Sequence, residues 1–585
     1  MKDINYELEQ ILIKNKIIKQ TNLDKAIQQL FDFKSKLSSQ SVIGLYGTSM
    51  EADSLLHFVF SYIPDITINI CFDKTVPTYT YKNHIKERKV YKIEELVNYH
   101  VDYMIIGSYN YRNEMKQTLK NSGFQGKIID IYDSLAPYIE EHFADYEMIF
   151  IARKAFLDSG QSEKAELIKK LVKYYLNIKD FKSAQYYIRY YINNKFPEFE
   201  RYKQLEQDIH KLLEDIKDYL KQRNKQDIIV NWVDALPYEK IDGFPFLKSK
   251  AEEGVCFENA YTVMPWTRGV LRTILYGKYP VKDMLFLREE FKSEDVEVLE
   301  LLSENNYGFA YCGLGMYAKS FDDKVTAVWD IYTNKNVSSV TRQWDAVSLM
   351  CKSEKPLLIL IHTMYETHGP YICGEADTLI RFSFSENDWN DERCQKQADI
   401  SGKYIDEQMN FYEKLYGNNA FKIYMSDHGN IGDCIMEDHK VHIIFIIDHK
   451  EISHKKIQGM FSLVDFPKII EMLLKQRFKW ESLERDKVIV ETYDAYDERK
   501  VNDILDGKLE KRNWLQCRGV ITKQDKYFLY ADREEYYFLN EQEKKNEIGN
   551  KDYFTRIQEL KKVCDLPFIN IYEYDEFKNS RKLYE

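Results

Sequence analysis

The chain has 585 residues, with 83 Lys and Arg against 94 Asp and Glu and a net charge of −11. This acidic balance excludes a general nucleic-acid or polybasic membrane binder, which needs a basic excess. With 44% hydrophobic and 14% aromatic residues, wholesale disorder is excluded too.

Residues 1–38 carry apolar positions at helical spacing through Leu8, Ile11 and Leu12, then Leu23, Ile27 and Leu30. The period then changes. Ser41–Tyr46, Ile66–Phe72, Val101–Ile106 and Gly126–Ile131 read as strands separated by helical stretches, which predicts a parallel sheet covered on both faces. Between 140 and 226 the pattern is helical throughout, with Ala152, Ala155, Ala165 and Ala184 among Leu, Ile and Tyr. The segment from Asp180 to Ile192 resembles one helix of a tetratricopeptide-type hairpin, so a helical spacer able to bind protein partners is expected here. From Asp227 to the end the pattern is α/β again. The expected domains are therefore 1–139, 140–226 and 227–585.

No apolar stretch reaches the ~20 residues of a transmembrane helix, and the first residues lack the apolar core of a secretory signal. Nine scattered Cys without a CxxC pair read as reduced thiols. Together these predict a cytoplasmic protein, and the Lys-, Ile-, Asn- and Tyr-rich composition suggests a low-GC bacterial gene.

The C-terminal region carries the chemistry. Asp227–Val233 is a predicted strand ending in Asp234, and ligand crevices of parallel sheets lie beyond the strands' carboxyl ends. Asp234 there is a metal ligand or a turn residue. Pro265 precedes a short helix opened by Thr267 and closed by Gly277. A hydroxyl at that end is an anion-site nucleophile or an ordinary N-cap, and Arg268 adds a guanidinium fork. The strand Leu357–Ile361 runs into His362 and His368, and Phe421–Met425 runs into Ser426-Asp427-His428-Gly429. Asp and His side by side at a strand end suit a hard or borderline metal. His439 and His442 precede the strand Ile443–Ile447.

In this order, Asp234, Thr267 with Gly277-Lys278-Tyr279-Pro280, His368-Gly369-Pro370 and Ser426-Asp427-His428-Gly429 resemble the alkaline phosphatase superfamily. The similar branch is sulfatase-like, containing arylsulfatases and phosphoglycerol and phosphoethanolamine transferases. Asn305–Phe309, Tyr404–Gln408, Ser462–Pro467 and Arg518–Tyr530 resemble further pieces, so the resemblance covers nearly all of 227–585. It implies an α/β sandwich with a small C-terminal subdomain. It also implies a divalent metal, Zn²⁺ or Mn²⁺ with Mg²⁺ or Ca²⁺ as alternatives, held by Asp234, Thr267, Asp427 and His428. Thr267 would be the nucleophile and His368 the second catalytic group. Arg268, His362, His439 and His442 would bind substrate. The sulfatase motif C/S-x-P-S/T-R is missing, which favours phosphoryl transfer on phosphorylated glycan or sugar-nucleotide-related substrates. A sulfatase, or a binding scaffold without turnover, is the alternative. In the N-terminal region, Gly44–Thr48 after a strand and Asp73 at the end of the next resemble a Rossmann-like domain without GxGxxG, so NAD is not expected.

Overall fold

The computed structural model describes residues 3–20, 23–48, 50–63, 65–74, 80–82, 87–223, 225–283, 285, 291, 295–318, 321, 325–328, 338–369, 371–377, 392–417, 419–429, 438–492, 517–530, 534–539 and 546–564. The predicted motif residue Pro370 lies outside them.

The first unit spans Leu12–Asp145. Its strands are β1 (Ile43–Tyr46), β2 (Ile70–Asp73), β3 (Thr80–Lys82), β4 (Glu87–Lys92), β5 (Tyr103–Ile106) and β6 (Lys127–Ile129), in the order β3-β4-β2-β1-β5-β6. All pairs except β3–β4 are parallel. The central strand β1 is buried along its whole length. One face packs Leu45 and Ile105 against Leu30, Leu55, Val59 and Leu135, and the other packs Tyr46, Met104 and Ile106 against Leu96 and Leu119. The expected parallel sheet, covered on both faces, is present.

In the second unit, the residues from Tyr146 onward cluster together with those up to Ile11. The helices Tyr146–Asp158, Gln161–Asn177, Phe181–Asn193 and Phe199–Gln222 pack in sequence. They belong to this unit instead of standing apart as a spacer, and the boundary falls at Asp145. The physical reason is a set of buried polar ties. Asp180 caps the Phe181 helix through Ser183 N–H at 2.9 Å and also accepts hydrogen bonds from Tyr404 Oη (2.8 Å) and Gln408 Nε2 (2.9 Å). Tyr412 Oη donates to the Lys179 carbonyl at 2.6 Å. Separating the helices would strand these groups, which is costly in a buried setting.

The large sheet contains β7 (Ile228–Val233), β8 (Val255–Tyr261), β9 (Gly308–Cys312), β10 (Thr326–Val328), β11 (Leu357–Thr363), β12 (Phe421–Ser426), β13 (His442–Ile443), β14 (Phe445–Asp448) and β15 (Lys455–Ser462). Its order is β10-β9-β11-β7-β12-β14-β8-β13, with β15 added beside β8. The pairs from β10 through β12 are parallel, and β14 runs antiparallel to both β12 and β8. Strand β8 therefore points the same way as β12. Register puts Thr363 and Ser426 on either side of Val233, and Ile361 beside Cys312. The carboxyl ends of β7, β11 and β12 are thus level, and β9 ends on the same side opposite Ile361, which gathers their following residues along one edge. The last four strands, β16 (Lys487–Thr492), β17 (Cys517–Thr522), β18 (Asp525–Tyr530) and β19 (Glu534–Phe538), form an antiparallel sheet. The helix Phe554–Cys564 covers one of its faces through Ile557 and Leu560, giving the expected small subdomain. Among the described residues, no helix is long and apolar enough to cross a membrane.

Candidate functional site

Asp234 leaves β7 fully buried, and Ala235 follows it in a left-handed conformation, φ 57°. That turn aims the Ala235 N–H at Asp427 Oδ1 (3.1 Å), which also accepts the His428 N–H (2.8 Å). Asp234 Oδ2 accepts from His362 Nε2 (2.9 Å) and from Thr267 Oγ1 (3.3 Å). One oxygen of each carboxylate is thereby satisfied. The other two, Asp234 Oδ1 and Asp427 Oδ2, are buried with no hydrogen-bond partner.

The third member is His428. Its Nδ1 lies 2.8 Å from the Gly429 carbonyl, so Nδ1 carries the proton and donates it there. The Nε2 lone pair then faces Asp234 Oδ1 (3.5 Å), Asp427 Oδ2 (3.4 Å) and Thr267 Oγ1 (3.3 Å). The carboxylate and imidazole atoms lie within 4.8 Å of one another. Two orphaned carboxylate oxygens opposite a lone pair have no donor to share, and an uncompensated buried charge costs several kcal/mol. A divalent cation meets that need, and a carboxylate–imidazole set suits Zn²⁺ or Mn²⁺. The residues present therefore fit the expected metal.

Electrostatics separate the two carboxyls. Burial pushes Asp234 up, but the His362 hydrogen bond and the neighbouring imidazoles outweigh it and hold the carboxyl down at about 2. Burial and the neighbouring Asp234 charge push Asp427 up from the ordinary carboxylate value. Adjacent carboxylates in a dry site repel in this way when no cation is between them.

Thr267 is the first residue of the helix Thr267–Tyr276, and Trp266 occupies the extended position before it without a side-chain cap. The capping reading of Thr267 therefore fails. Its hydroxyl bonds to Asp234 and His428 instead. Gly277 closes the helix at φ 62°, as the sequence predicts.

The remaining expected residues divide. His362 is buried, stacked 4.5 Å from the Trp232 ring, and held between Asp234 and Tyr311, whose hydroxyl lies 3.1 Å from Nδ1. It orients Asp234 and does not present an edge to substrate. His368 lies in the turn after β11, with Nδ1 2.9 Å from the Gly369 carbonyl, and its charge acts on Asp234. That turn is anchored by buried Glu366, which accepts from the Ser339 N–H (3.0 Å), the Ser339 hydroxyl and the Tyr146 hydroxyl. Arg268 adjoins Thr267, and its charge reaches Tyr317. His442 pairs with Tyr261 in the sheet, bonds to the Glu258 carbonyl (2.8 Å) and stacks between Tyr238 and Tyr261. It is a packing residue, and burial pushes its imidazole down. His439 belongs to the short helix Asp438–Val441, whose backbone closes on Gly429: the Gly429 N–H donates to the Lys440 carbonyl at 2.8 Å, and a Cβ on Gly429 would meet the His439 oxygen at 1.8 Å. Among the described residues the metal-type cluster contains neither His439 nor His442. Sequence reading missed Tyr311, Glu366 and Tyr317. The rule that singled out Asp234, the residue just beyond a strand end, applies equally to the Gly313-Leu314-Gly315 turn that carries Tyr317.

No family model matches the sequence, and no curated protein matches it. Solved structures do. A 2-O GAG sulfatase is 16% identical, over 62% of this chain and 94% of that one, with a TM-score of 0.44. The phosphonate monoester hydrolase of Agrobacterium radiobacter is 10% identical, over 58% and 95%, with a TM-score of 0.44. A protein in the alkaline phosphatase superfamily from Vibrio parahaemolyticus is 17% identical, over 55% and 82%, with a TM-score of 0.38. At these values the α/β architecture rests on the chain's own strand order and register.

Proposed function

We propose that the chain is a metal-dependent hydrolase or transferase of the sulfatase-like kind, acting on phosphate esters of glycan or sugar-nucleotide-related substrates with Thr267 as the nucleophile. The observation that carries this reading is Thr267 Oγ1, freed from capping and placed 3.3 Å from both Asp234 Oδ2 and His428 Nε2.

Asp234, Asp427 and His428, with Thr267, would hold the divalent ion. When bound, such an ion supplies Lewis acidity, which makes a hydroxyl a stronger nucleophile and offsets charge on phosphoryl oxygens. The chain supplies the rest. Asp234 Oδ2 accepts the Thr267 proton. The Thr267 oxygen forms a bond to phosphorus as the bond from phosphorus to the leaving oxygen breaks. The positive end of the Thr267 helix and the Arg268 guanidinium favour the anion in that position. His368 Nδ1 is committed to Gly369, so Nε2 is the atom that delivers a proton to the leaving oxygen. Water, or an acceptor alcohol, then displaces phosphate from Thr267.

Two features weigh against the alternatives. Sulfatases mature Cys or Ser to formylglycine, which Thr cannot form. A scaffold without turnover has no use for two buried carboxylate oxygens left without partners. The test is turnover of p-nitrophenyl phosphate, bis-p-nitrophenyl phosphate and p-nitrocatechol sulfate. Thr267→Ala should lose about 10³-fold or more in kcat while keeping its fold. Thr267→Ser should retain part of the activity, and mass spectrometry should find phosphate on Thr267 in the wild type. Wild-type turnover by Thr267→Ala would refute covalent catalysis by this residue.

A further inference from the structure

The helix Thr267–Tyr276 is buried from Gly269 to its end, yet no side chain caps its start, so capping does not fix where Thr267 stands along the helix axis. The C-terminal sheet supplies the attachment. Before the helix, the Val263 carbonyl accepts the Glu491 N–H at 2.7 Å, and the Trp266 indole N–H donates to Thr492 Oγ1 at 3.3 Å. After it, the Val281 and Lys282 N–H groups both donate to Glu491 Oε2, at 2.9 and 3.1 Å. The other carboxylate oxygen, Oε1, lies 3.1 Å from Nη2 of Arg518, the residue directly opposite in β17. Glu491 is 1% exposed, so these partners take the place of water. One residue thus holds the chain on both sides of the helix that carries Thr267.

A buried ion pair adds little net stability over apolar residues of the same size, because both charges lose their water. A carboxylate offers what an apolar side chain does not, a fixed set of acceptors: here two amides on one oxygen and a guanidinium on the other. From this geometry we infer that Glu491 is a positioning residue, which sets Thr267 Oγ1 against Asp234 and His428 by gripping the chain before and after its helix. The inference rests on the reading of Thr267 as nucleophile. A helix of 10 residues is about 15 Å long and moves as one piece, so a slip at either attachment is delivered to Thr267. Its hydroxyl stands 3.3 Å from both partners, and a displacement of about 1 Å is enough to cost about 10²-fold in rate. Asp234, Asp427 and His428 follow β7 and β12, so the metal-type cluster is built on other strands than the clamp.

The test is Glu491→Gln, made in the wild type and in Thr267→Ala. Glutamine has one acceptor oxygen, so it serves the two amides or Arg518 but not both. The quantities read are kcat and KM on the same three esters, bound metal per chain, and the folded state by circular dichroism. In the wild-type background kcat should fall about 10²-fold, with KM changed less than threefold and metal content unchanged. In Thr267→Ala the residual turnover should stay within twofold when Glu491→Gln is added, because no hydroxyl is left to misplace. A structural role alone lowers turnover by the same factor in both backgrounds; that result, or loss of metal, overturns the inference. So does a Glu491→Gln enzyme within twofold of wild type. If Glu491→Gln does not fold, Thr492→Val decides, since it removes only the Trp266 partner at nearly the same volume. It should lower kcat about tenfold in the wild type and leave Thr267→Ala unchanged, and a wild-type kcat in Thr492→Val then overturns the inference. Wild-type turnover by Thr267→Ala overturns the reading of Thr267 instead, and a wild type that turns over none of the esters overturns the proposed function; this role falls with either.

Discussion

In each of the two sheets a strand held between parallel neighbours leads to an aspartate, yet the two carboxylates live differently. In the N-terminal unit Asp73 closes β2, and its oxygens accept from the Thr48 N–H and Thr48 Oγ1, each at 2.9 Å, and from the Lys74 N–H at 2.7 Å. In the second unit Asp234 follows β7 with one oxygen paired and the other orphaned beside the orphaned oxygen of Asp427. The same topological position thus yields a turn clasp in one sheet and a cation-seeking cluster in the other. Position marks where chemistry can be built; an unsatisfied buried group marks where it has been built.

The largest way to break that contrast is to remove the cluster. Asp427→Ala combined with His428→Ala should reduce bound divalent metal, measured by elemental analysis, from near one equivalent to background. Ester turnover should fall with it. Asp73→Ala should change neither, and a loss of metal on Asp73→Ala would mean that the contrast is false.

His362 sharpens the comparison, because the Asp73 clasp is made by backbone and a neighbouring hydroxyl, whereas Asp234 is oriented by a histidine from another strand. A partner of this kind is worth about 10–100-fold in metal affinity. His362→Gln should weaken metal binding by that factor in chelator competition, and Tyr311→Phe, one step further out, should weaken it less.

A buried carboxyl that serves structure gives the next effect. Asp406 accepts the Phe246 and Leu247 N–H groups at the start of the helix Pro245–Glu253, and burial raises it to about 6. Its folded value exceeds its unfolded one, so its contribution is fully present below about pH 4 and is lost as pH rises through 6. The loss is about 2–3 kcal/mol at most. Melting curves from pH 4 to 7 should show wild type losing stability relative to Asp406→Asn over that window, and parallel curves would refute the assignment.

The smallest effect is in the clasp. Asp73→Ala removes its bonds to Thr48 and should lower the stability of the N-terminal unit by about 1 kcal/mol in urea melts.

Much of this was legible in the sequence because each clue was local. The strand Ile228–Val233 is buried on both faces, and its apolar run says so; Asp234 ends it where a crevice belongs. Asp427-His428-Gly429 is contiguous, and Gly277 marks a helix end one turn-rule away from Thr267. What escaped notice depends on pairing between distant segments. The chain order of His362, Tyr311 and Tyr317 does not reveal that β9 and β11 are neighbours, since that follows from strand order. His442 reads as a substrate-binding residue because histidines crowd this stretch, whereas two tyrosine rings and a carbonyl account for it. The helices after Asp145 looked separable because their own periodicity is self-sufficient. Their attachment runs through polar residues such as Asp180, which periodicity does not register.

The clamp on Glu366 bears on how this protein can be taken apart and recombined. Tyr146, in the first of those helices, reaches the same carboxylate as Ser339, and that carboxylate lies two residues before His368. A gene cut between helices and sheet would part a lock from its key: the truncated half would hold a buried acid whose phenol is gone, in the loop that presents His368. The helical stretch is therefore not a cassette to be exchanged among proteins of this architecture, because a replacement must arrive with its own tyrosine at that point or with Glu366 changed to match.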